Sequence, residues 1–200
     1  MRTRGVGWVL LAVAGNSWEG MAFRTWWVAF LSFVATLPGN QYYTGWNLAL
    51  ATAFTGLLAM PLSSLVAHRA NTGRRHQVIA AAAGASVVAG AVLAVSIGMP
   101  FLIVFVLSIA YVCAIFSDAG SLPPALLARV SQADRGAALA LMALSANSAA
   151  WAGVTICGVV LEVAGGKASI IAWQITIGVI AAGSLITSIA MLVLDRQARI

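Results

Sequence analysis

The chain has 200 residues, of which 62% are hydrophobic and 8% are charged, and its formal net charge is +6. A soluble domain carries about 25% charged residues and could not bury this much apolar surface, so the composition excludes a soluble protein and predicts an integral protein of a lipid bilayer. The positive charge does not indicate a nucleic-acid partner, because the Arg residues form short clusters between apolar runs and make no basic stripe.

Six apolar segments are long enough to cross a bilayer, which takes about 20 residues in a helix. Polar breaks that carry Gly, Pro or other turn-favouring residues separate them. The predicted spans are Gly7–Leu37, Tyr43–Ala67, Gln77–Ile97, Pro100–Leu122, Gly136–Val163 and Ser169–Leu194. The predicted fold class is therefore an all-α integral membrane protein, a bundle of six transmembrane helices that forms one domain over residues 1–200.

The basic residues predict how the spans are oriented, because Lys and Arg concentrate in cytoplasmic loops. With both termini in the cytoplasm, nine Arg residues lie on the inner side and Lys167 alone lies on the outer side. The inner residues are Arg2, Arg4, Arg69, Arg74, Arg75, Arg129, Arg135, Arg196 and Arg199. We therefore expect a multi-pass protein of the cell (inner or plasma) membrane with both termini cytoplasmic.

The sequence lacks the residue patterns of membrane enzymes and of metal sites. Its two histidines, His68 and His76, flank one basic loop, so no base lies beside a nucleophile within a span. Cys113 and Cys157 each lie within an apolar run, where we interpret them as small buried residues. We expect a protein that is not an enzyme and that has no cofactor and no metal.

Two charged residues lie within the first span, where charge is costly and usually functional. Glu19 is about 16 Å from the inner boundary at Trp8, near the bilayer centre, and Arg24 lies in the outer half. Their spacing of five positions puts them about 140° apart around a helix, so they do not form a simple helix-surface ion pair. Each needs another partner: either the two hold the bundle together, or they handle a substrate or proton beside Asn16.

Two polar residues in later spans are further pathway candidates. Asp118 is about 27 Å along the fourth span, near the inner boundary. It either caps the next turn or pairs with Arg129 or Arg135, or it takes part in gating or coupling. Asn147 lies among the small residues of the fifth span, which usually make tight helix contacts, although it could touch a substrate.

The loop SSLVAHRANTGRRHQVI, between the second and third spans, resembles the corresponding loop of the major facilitator superfamily (MFS) of transporters. That family typically has a Gly, an Asp-Arg pair and then Gly-Arg-Arg in this loop. The basic part is matched here by Arg69, Gly73, Arg74 and Arg75, while His68 stands where the Asp is expected. The stretch NSWEGMAFRTWWVAFLSF is similar to the first helix of the family's second half, and the segment around Arg135 is similar to its fourth-to-fifth helix connection.

The resemblance implies one six-helix half of the family's fold, more like the C-terminal half, built from two inverted three-helix repeats. It also implies secondary transport of a small solute by alternating access, with the first and fourth spans lining the pathway. The candidate pathway residues are Glu19, Arg24, Asn16, Asp118 and Asn147, with Glu19 as the proton-linked group. The candidate gating residues of the inner loops are Arg69, Gly73, Arg74, Arg75 and Arg135.

A complete transporter of this family has twelve helices and binds its solute between two halves. The expected partner is therefore a second six-helix half, in the same chain if these 200 residues are a fragment, or in a homodimer if the protein is half-size. The open alternative is a six-helix membrane scaffold or interaction protein that transports nothing. A channel is not favoured, because no polar stripe recurs on several spans.

Overall fold

The computed structural model describes residues 5–53, 55–71 and 74–199, and over these residues it is all-helical without a β-strand. The α-helices are α1 (Val6–Thr36), α2 (Leu48–Ala53), α3 (Thr55–Ala70), α4 (Arg75–Val95), α5 (Phe101–Ser117), α6 (Leu122–Leu127), α7 (Arg135–Val163) and α8 (Ile170–Arg199). Short 3-10 helices lie at Gln41–Gly45, Ala119–Ser121 and Gln132–Asp134.

Five helical segments of the described chain are long and apolar enough to cross a membrane. They are Leu48–Ala70, Arg75–Val95, Phe101–Leu127, Gln132–Val163 and Ile170–Gln197. They correspond to the second to sixth predicted spans. The chain is therefore an all-helical protein of the kind that crosses a membrane several times.

Helix α1 is not among the five, although its 31 residues would cross a bilayer by length. Asn16, Glu19 and Arg24 lower the apolar character of its middle. The helix nevertheless lies inside the bundle, packed against α5, α7 and α8. A sixth span over α1 therefore stays a prediction.

Several boundaries differ from the predicted spans, by up to five residues; the sixth span was predicted to end at Leu194, but α8 continues to Arg199. Tyr43, the predicted start of the second span, lies in a 3-10 helix and stacks on Phe101 with the ring centroids 4.5 Å apart, and helix begins again at Leu48. The fourth span was predicted to end at Leu122, but α6 continues to Leu127. Two prolines open α6, where a missing backbone N–H removes no helical hydrogen bond.

The long helices pack in pairs around α1 and α5. Helix α1 packs against α7 and α8, and α5 packs against α3 and α4. Helices α4 and α8 pack against each other, and α1 also contacts α5. Two apolar clusters fill the spaces between these helices, one around Phe30, Tyr111 and Trp173 and the other around Val9, Leu126 and Met191. Residues 14–21 of α1 belong to neither cluster, and this stretch includes the polar residues Asn16, Ser17 and Glu19.

The closest helix crossing brings α1 against α8 at Gly15 and Gly183. A Cβ on Gly15 would collide with the carbonyl oxygen of Gly183, and a Cβ on Gly183 with that of Gly15. Only residues without a side chain let two helix backbones approach so closely. This approach brings the residues that follow, Asn16 on α1 and Ser184 on α8, into the polar stretch between the two clusters.

Candidate functional site

Glu19 is sealed inside the bundle, with 0% of its surface exposed. Its Oε1 accepts hydrogen bonds from the Tyr111 hydroxyl at 2.6 Å and from the Ser86 Oγ at 3.1 Å. Its Oε2 accepts a hydrogen bond from the Ser184 hydroxyl. No cationic side chain in the described part of the chain pairs with it. The carboxyl is therefore held by three neutral hydroxyls, each from a different helix.

Helices α4, α5 and α8 supply these hydroxyls. The Tyr111 ring packs edge-to-face with the ring of Phe23, with the ring centroids 4.7 Å apart. Gly90 on α4 leaves room for the tyrosine, since a Cβ there would lie 3.1 Å from its ring. Small residues on the neighbouring helices thus allow one long side chain to reach the carboxyl on α1.

Asn16, one turn before Glu19, binds the end of α5. Its Nδ2 donates to Asp118 Oδ1 at 2.8 Å and to the Ile115 carbonyl at 3.0 Å. Asp118 is 1% exposed, and its Oδ2 has no hydrogen-bond partner among the described residues. The suggested pairing of Asp118 with Arg129 or Arg135 is therefore wrong, because a neutral amide on α1 takes that place.

A cavity of about 680 Å³ lies between α1, α2, α3 and α5. Helix α1 contributes Gly20, Phe23, Arg24 and Trp27, whose spacings of three and four put them on one side of the helix. Arg24 is exposed and has no hydrogen-bond or ion-pair partner within the described ranges. Trp27 is 4% exposed, and its Nε1 has no partner among those residues either.

Glu19 and Arg24 thus occupy different environments on one helix. Glu19 faces α4, α5 and α8, while Arg24 lines the cavity, and Glu19 is not among the described lining residues. This arrangement agrees with the spacing of five positions, which separates the two side chains around the helix. The chemistry that the two residues can offer is correspondingly divided: a shielded carboxyl that can bind a proton, and an accessible cation that can bind an anion.

The structure does not bring Asn147 to this cavity. Asn147 is exposed on α7 and has no hydrogen-bond partner in the described part of the chain. Arg69, Arg74 and Arg135 are also exposed, at the ends of α3, α4 and α7. Gly73 lies outside the described residues.

Arg75, by contrast, joins two parts of the chain at the basic end of the bundle. It donates from Nη1 to the Pro124 carbonyl at 3.1 Å and from Nη2 to Asn71 Oδ1 at 2.9 Å. Arg129 lies close by, with its Nη2 2.9 Å from His76 Nε2. These contacts tie the start of α4 to α6 and to the segment after it.

The two sides of the bundle differ in what they expose. Within residues 75–95 of α4 and within residues 170–194 of α8, every exposed residue is apolar or glycine. The second half of α1 and helix α7 also expose polar residues, including Arg24, Thr25, Asn147, Ser148 and Thr155, although α7 exposes large apolar side chains as well. The first surface suits lipid, whereas the polar positions of the second suit water or protein, since polar groups are costly against hydrocarbon.

Sequence reasoning missed the partners of Glu19 and the cavity role of Trp27. Ser86, Tyr111 and Ser184 were detectable as hydroxyls within apolar spans, where such groups often bind across helices. Nothing in the sequence says which carboxyl they would meet, because that depends on how α4, α5 and α8 pack. Within the described residues, no group of three or more His, Cys, Asp and Glu could hold a metal ion, and Cys113 and Cys157 are free thiols.

The fold and the site define a class: an all-helical protein with several membrane-length helices and a shielded carboxyl between them. Comparison of the chain with protein-family models, with curated proteins and with solved structures gave no match. The function is therefore argued from the geometry of the site and the packing of the helices.

Proposed function

We propose that the chain is one six-helix half of a secondary transporter of the major facilitator type, which moves a small solute across the membrane by alternating access. The observation that carries this proposal is the environment of Glu19, an acid enclosed by hydroxyls and paired with no cation among the described residues. A neutral side chain would make such a contact at lower cost, because charging an acid away from water is expensive. The site suits a carboxyl that binds and releases a proton as the bundle opens and closes.

The cavity at Arg24 supports the proposal because it lies on the same helix. Arg24 is five residues beyond Glu19, about 7.5 Å along the helix axis. A rigid α1 would therefore carry both the proton-binding carboxyl and the solute cavity. Any tilt of α1 that opens the cavity also disturbs the hydroxyl contacts of Glu19, which is the coupling that a proton-driven transporter needs.

The helix contacts support it independently. The long helices form two groups of three in chain order: α1, α3 and α4, then α5, α7 and α8. Helices at the same place in the two groups make matching contacts. Helix α1 packs against α7 and α8 of the second group, and α5 packs against α3 and α4 of the first; α3 contacts α4 as α7 contacts α8. Two three-helix units that start from opposite ends of the bundle are the repeat pattern expected of such a transporter half.

The polar exposure of α1 and α7 supports a second six-helix half as partner. Asn147 and Arg24 would be costly against lipid, and a facing half with a water-filled pathway between would remove that cost. The partner is either a further part of the same polypeptide or a second copy of the chain. We place the protein in the cell membrane with its basic end in the cytoplasm, as a transporter and not an enzyme, without cofactor or nucleic acid.

The test reconstitutes the chain together with its second half, as one polypeptide or as a dimer, into liposomes that contain a pH-sensitive dye. It presents small acids, amines, sugars and amino acids in turn. We expect one solute class to drive proton movement across the wild-type membrane. Glu19→Gln should abolish this proton movement and preserve solute exchange, because exchange needs no net proton transfer. Arg24→Ala should reduce both processes.

Thr25→Val is the matched control, since Thr25 is exposed beside Arg24 and is not among the described lining residues. It should retain both processes. Proton-coupled uptake that survives both Glu19→Gln and Arg24→Ala in a stably folded protein would overturn the proposal. A scaffold would instead show changes in thermal stability and no flux in any variant, including the wild type.

A further inference from the structure

We infer that the cavity beside Arg24 binds an organic anion with a bulky apolar body, such as an aromatic carboxylate. This inference names the solute class and, as a statement about cargo, rests on the proposed function. Binding to the cavity can nevertheless be measured without transport.

The charge of the cavity is uncompensated. Arg24 is the one charged residue among its described lining residues, and none of them is an Asp or Glu. The two buried acids of the bundle interior, Glu19 and Asp118, are not among the described lining residues. An exposed guanidinium in a low-dielectric wall attracts a carboxylate or sulfonate, repels an amine, and offers paired donors that suit a planar anion.

The rest of the cavity is mostly apolar, and Thr52 and Ser63 are the other polar residues among its described lining. Phe23, Trp27, Met60 and Phe116 contribute large side chains, while Gly20 and several alanines widen the space. A volume of about 680 Å³ lies in the range of small-molecule sites and exceeds what an inorganic anion needs. The few polar groups argue against a sugar, whose many hydroxyls would lose hydrogen bonds to water without replacement.

Trp27 places a large ring beside Arg24. It is among the residues that line the cavity, and it lies three positions after Arg24 on the same side of α1. Its indole N–H is buried and has no acceptor among the described residues, so Trp27 contributes its ring, and not a donor, to the cavity wall. A ring beside the guanidinium suits an anion that carries an aromatic body.

The binding test uses the full chain in nanodiscs of zwitterionic lipid and three probes with one ring system: naphthoate, naphthamide and naphthylmethylamine. Equilibrium dialysis measures binding, and empty nanodiscs correct for partition into lipid. We expect naphthoate to bind about tenfold or more tightly than naphthamide, the difference that a charge-assisted hydrogen bond makes. The amine should bind more weakly than the amide.

Three variants assign the preference to the cavity. Arg24→Gln should remove the difference between acid and amide, and Arg24→Lys should keep part of it. Trp27→Phe, which keeps an aromatic ring beside Arg24, should keep the difference between acid and amide. As a control, Thr25→Val should bind as the wild type does. Circular dichroism and thermal unfolding establish that each variant is folded.

Equal binding of acid and amide, preference for the amine, an Arg24→Gln variant that binds as the wild type does, or no binding of any probe at millimolar concentration would each overturn the inference. Nanodiscs that contain phosphatidylglycerol distinguish a free solute from a lipid headgroup. Unchanged naphthoate affinity there supports a free solute, and competition by this lipid would overturn the assignment of a solute. Anion-selective binding without any uptake would contradict the proposed function and leave the cavity inference in place. Proton-coupled uptake restricted to amines would contradict the cavity inference and leave the proposed function in place.

Discussion

The Tyr111 hydroxyl on α5 lies 2.6 Å from Glu19 Oε1 on α1, and both side chains have 0% of their surface exposed. The contact joins α1 and α5, the two helices that correspond to each other in the contact pattern; Tyr111 belongs to one apolar cluster and Glu19 to neither. A carboxyl that receives hydroxyls from α4, α5 and α8 reports any movement of α1 relative to its three neighbours. The hydrogen bonds of Glu19 therefore hold α1 to three neighbouring helices, and they change when α1 moves relative to any of them.

Removing the carboxyl should affect Tyr111 more than the two serines. In Glu19→Leu, the hydroxyls of Ser86 and Ser184 can turn to a carbonyl of their own helix, but the tyrosine hydroxyl has no such local acceptor. We expect Glu19→Leu to lower the free energy of unfolding by about 2 to 4 kcal/mol. The double variant Glu19→Leu/Tyr111→Phe should recover about 1 kcal/mol of that loss, because it removes the orphaned hydroxyl.

Thermal unfolding in one detergent is measured for the wild type, Glu19→Leu, Tyr111→Phe and the double variant. The four free energies of unfolding give the coupling energy between the two side chains. The matched control is Tyr43→Phe, which removes the hydroxyl of a tyrosine whose ring stacks on Phe101, away from Glu19. This control should show no coupling to Glu19→Leu. Additive effects of Glu19→Leu and Tyr111→Phe would contradict the contact.

The sequence was sufficient to predict an all-helical membrane protein, because lipid as solvent imposes long apolar helices. It was also sufficient to separate Glu19 from Arg24, because the angle between two positions follows from helix geometry alone. Asp118 shows where such reasoning stops. Its proximity in sequence to Arg129 and Arg135 suggested an ion pair, but the packing of α1 against α5 brings Asn16 to it instead.

The cavity could not be predicted at all, for a related reason. Arg24 and Trp27 are visible in the sequence, but the space beside them depends on how α2 and α3 pack against α1 and α5. Sequence spacing gives the side of a helix on which a residue lies and not the distance to the next helix. Both the partners of Glu19 and the cavity depend on that distance.

The crossing of α1 and α8 predicts a strong response to a single added methyl group. Gly183→Ala should lower the free energy of unfolding by about 2 to 3 kcal/mol, because its Cβ would meet the backbone of Gly15, which has no room to move. Gly178→Ala on the same helix is the matched control, since nothing lies within 4 Å of a Cβ there. It should be neutral or slightly stabilising. Equal thermal unfolding temperatures of the two variants would contradict the close crossing.

The bond between Asn16 and Asp118 predicts an asymmetric response to substitution. Asp118→Asn keeps an oxygen that accepts from the Asn16 amide, so its thermal stability should stay close to that of the wild type. Asn16→Leu leaves the buried Asp118 carboxyl without its amide donor and should cost about 1 to 3 kcal/mol. Asn16→Leu combined with Asp118→Asn should regain part of the loss. A double variant no more stable than Asn16→Leu would show that the unpaired Asp118 carboxyl is not the cause of the lost stability.

The two sides of the bundle should differ in what surrounds them. Spin labels at Ile175 and Ile186, exposed on α8, should be reached by oxygen, which dissolves in lipid. Labels at Thr25 and Ser148, exposed on α1 and α7, should instead be reached by a water-soluble nickel complex, or by neither reagent where protein covers them. Power-saturation measurements on the full chain in liposomes make the comparison. High oxygen access at all four positions would contradict a protein- or water-facing side.

The sixth span over α1 can be tested with single cysteines at its two ends. In a background with Cys113→Ala and Cys157→Ala, Gly7→Cys has open space around it and Gln41→Cys lies exposed beyond the other end of α1. If α1 crosses the membrane with the basic end inside, a membrane-impermeant maleimide should label Gln41→Cys in intact cells and Gly7→Cys only after permeabilisation. Lys167→Cys and Arg135→Cys serve as controls, since α7 separates them: the first should behave as Gln41→Cys does and the second as Gly7→Cys does. Labelling of Gly7→Cys and Gln41→Cys from the same side would show that α1 does not span the membrane. Helices α1 and α5 would then not be the first helices of two inverted repeats.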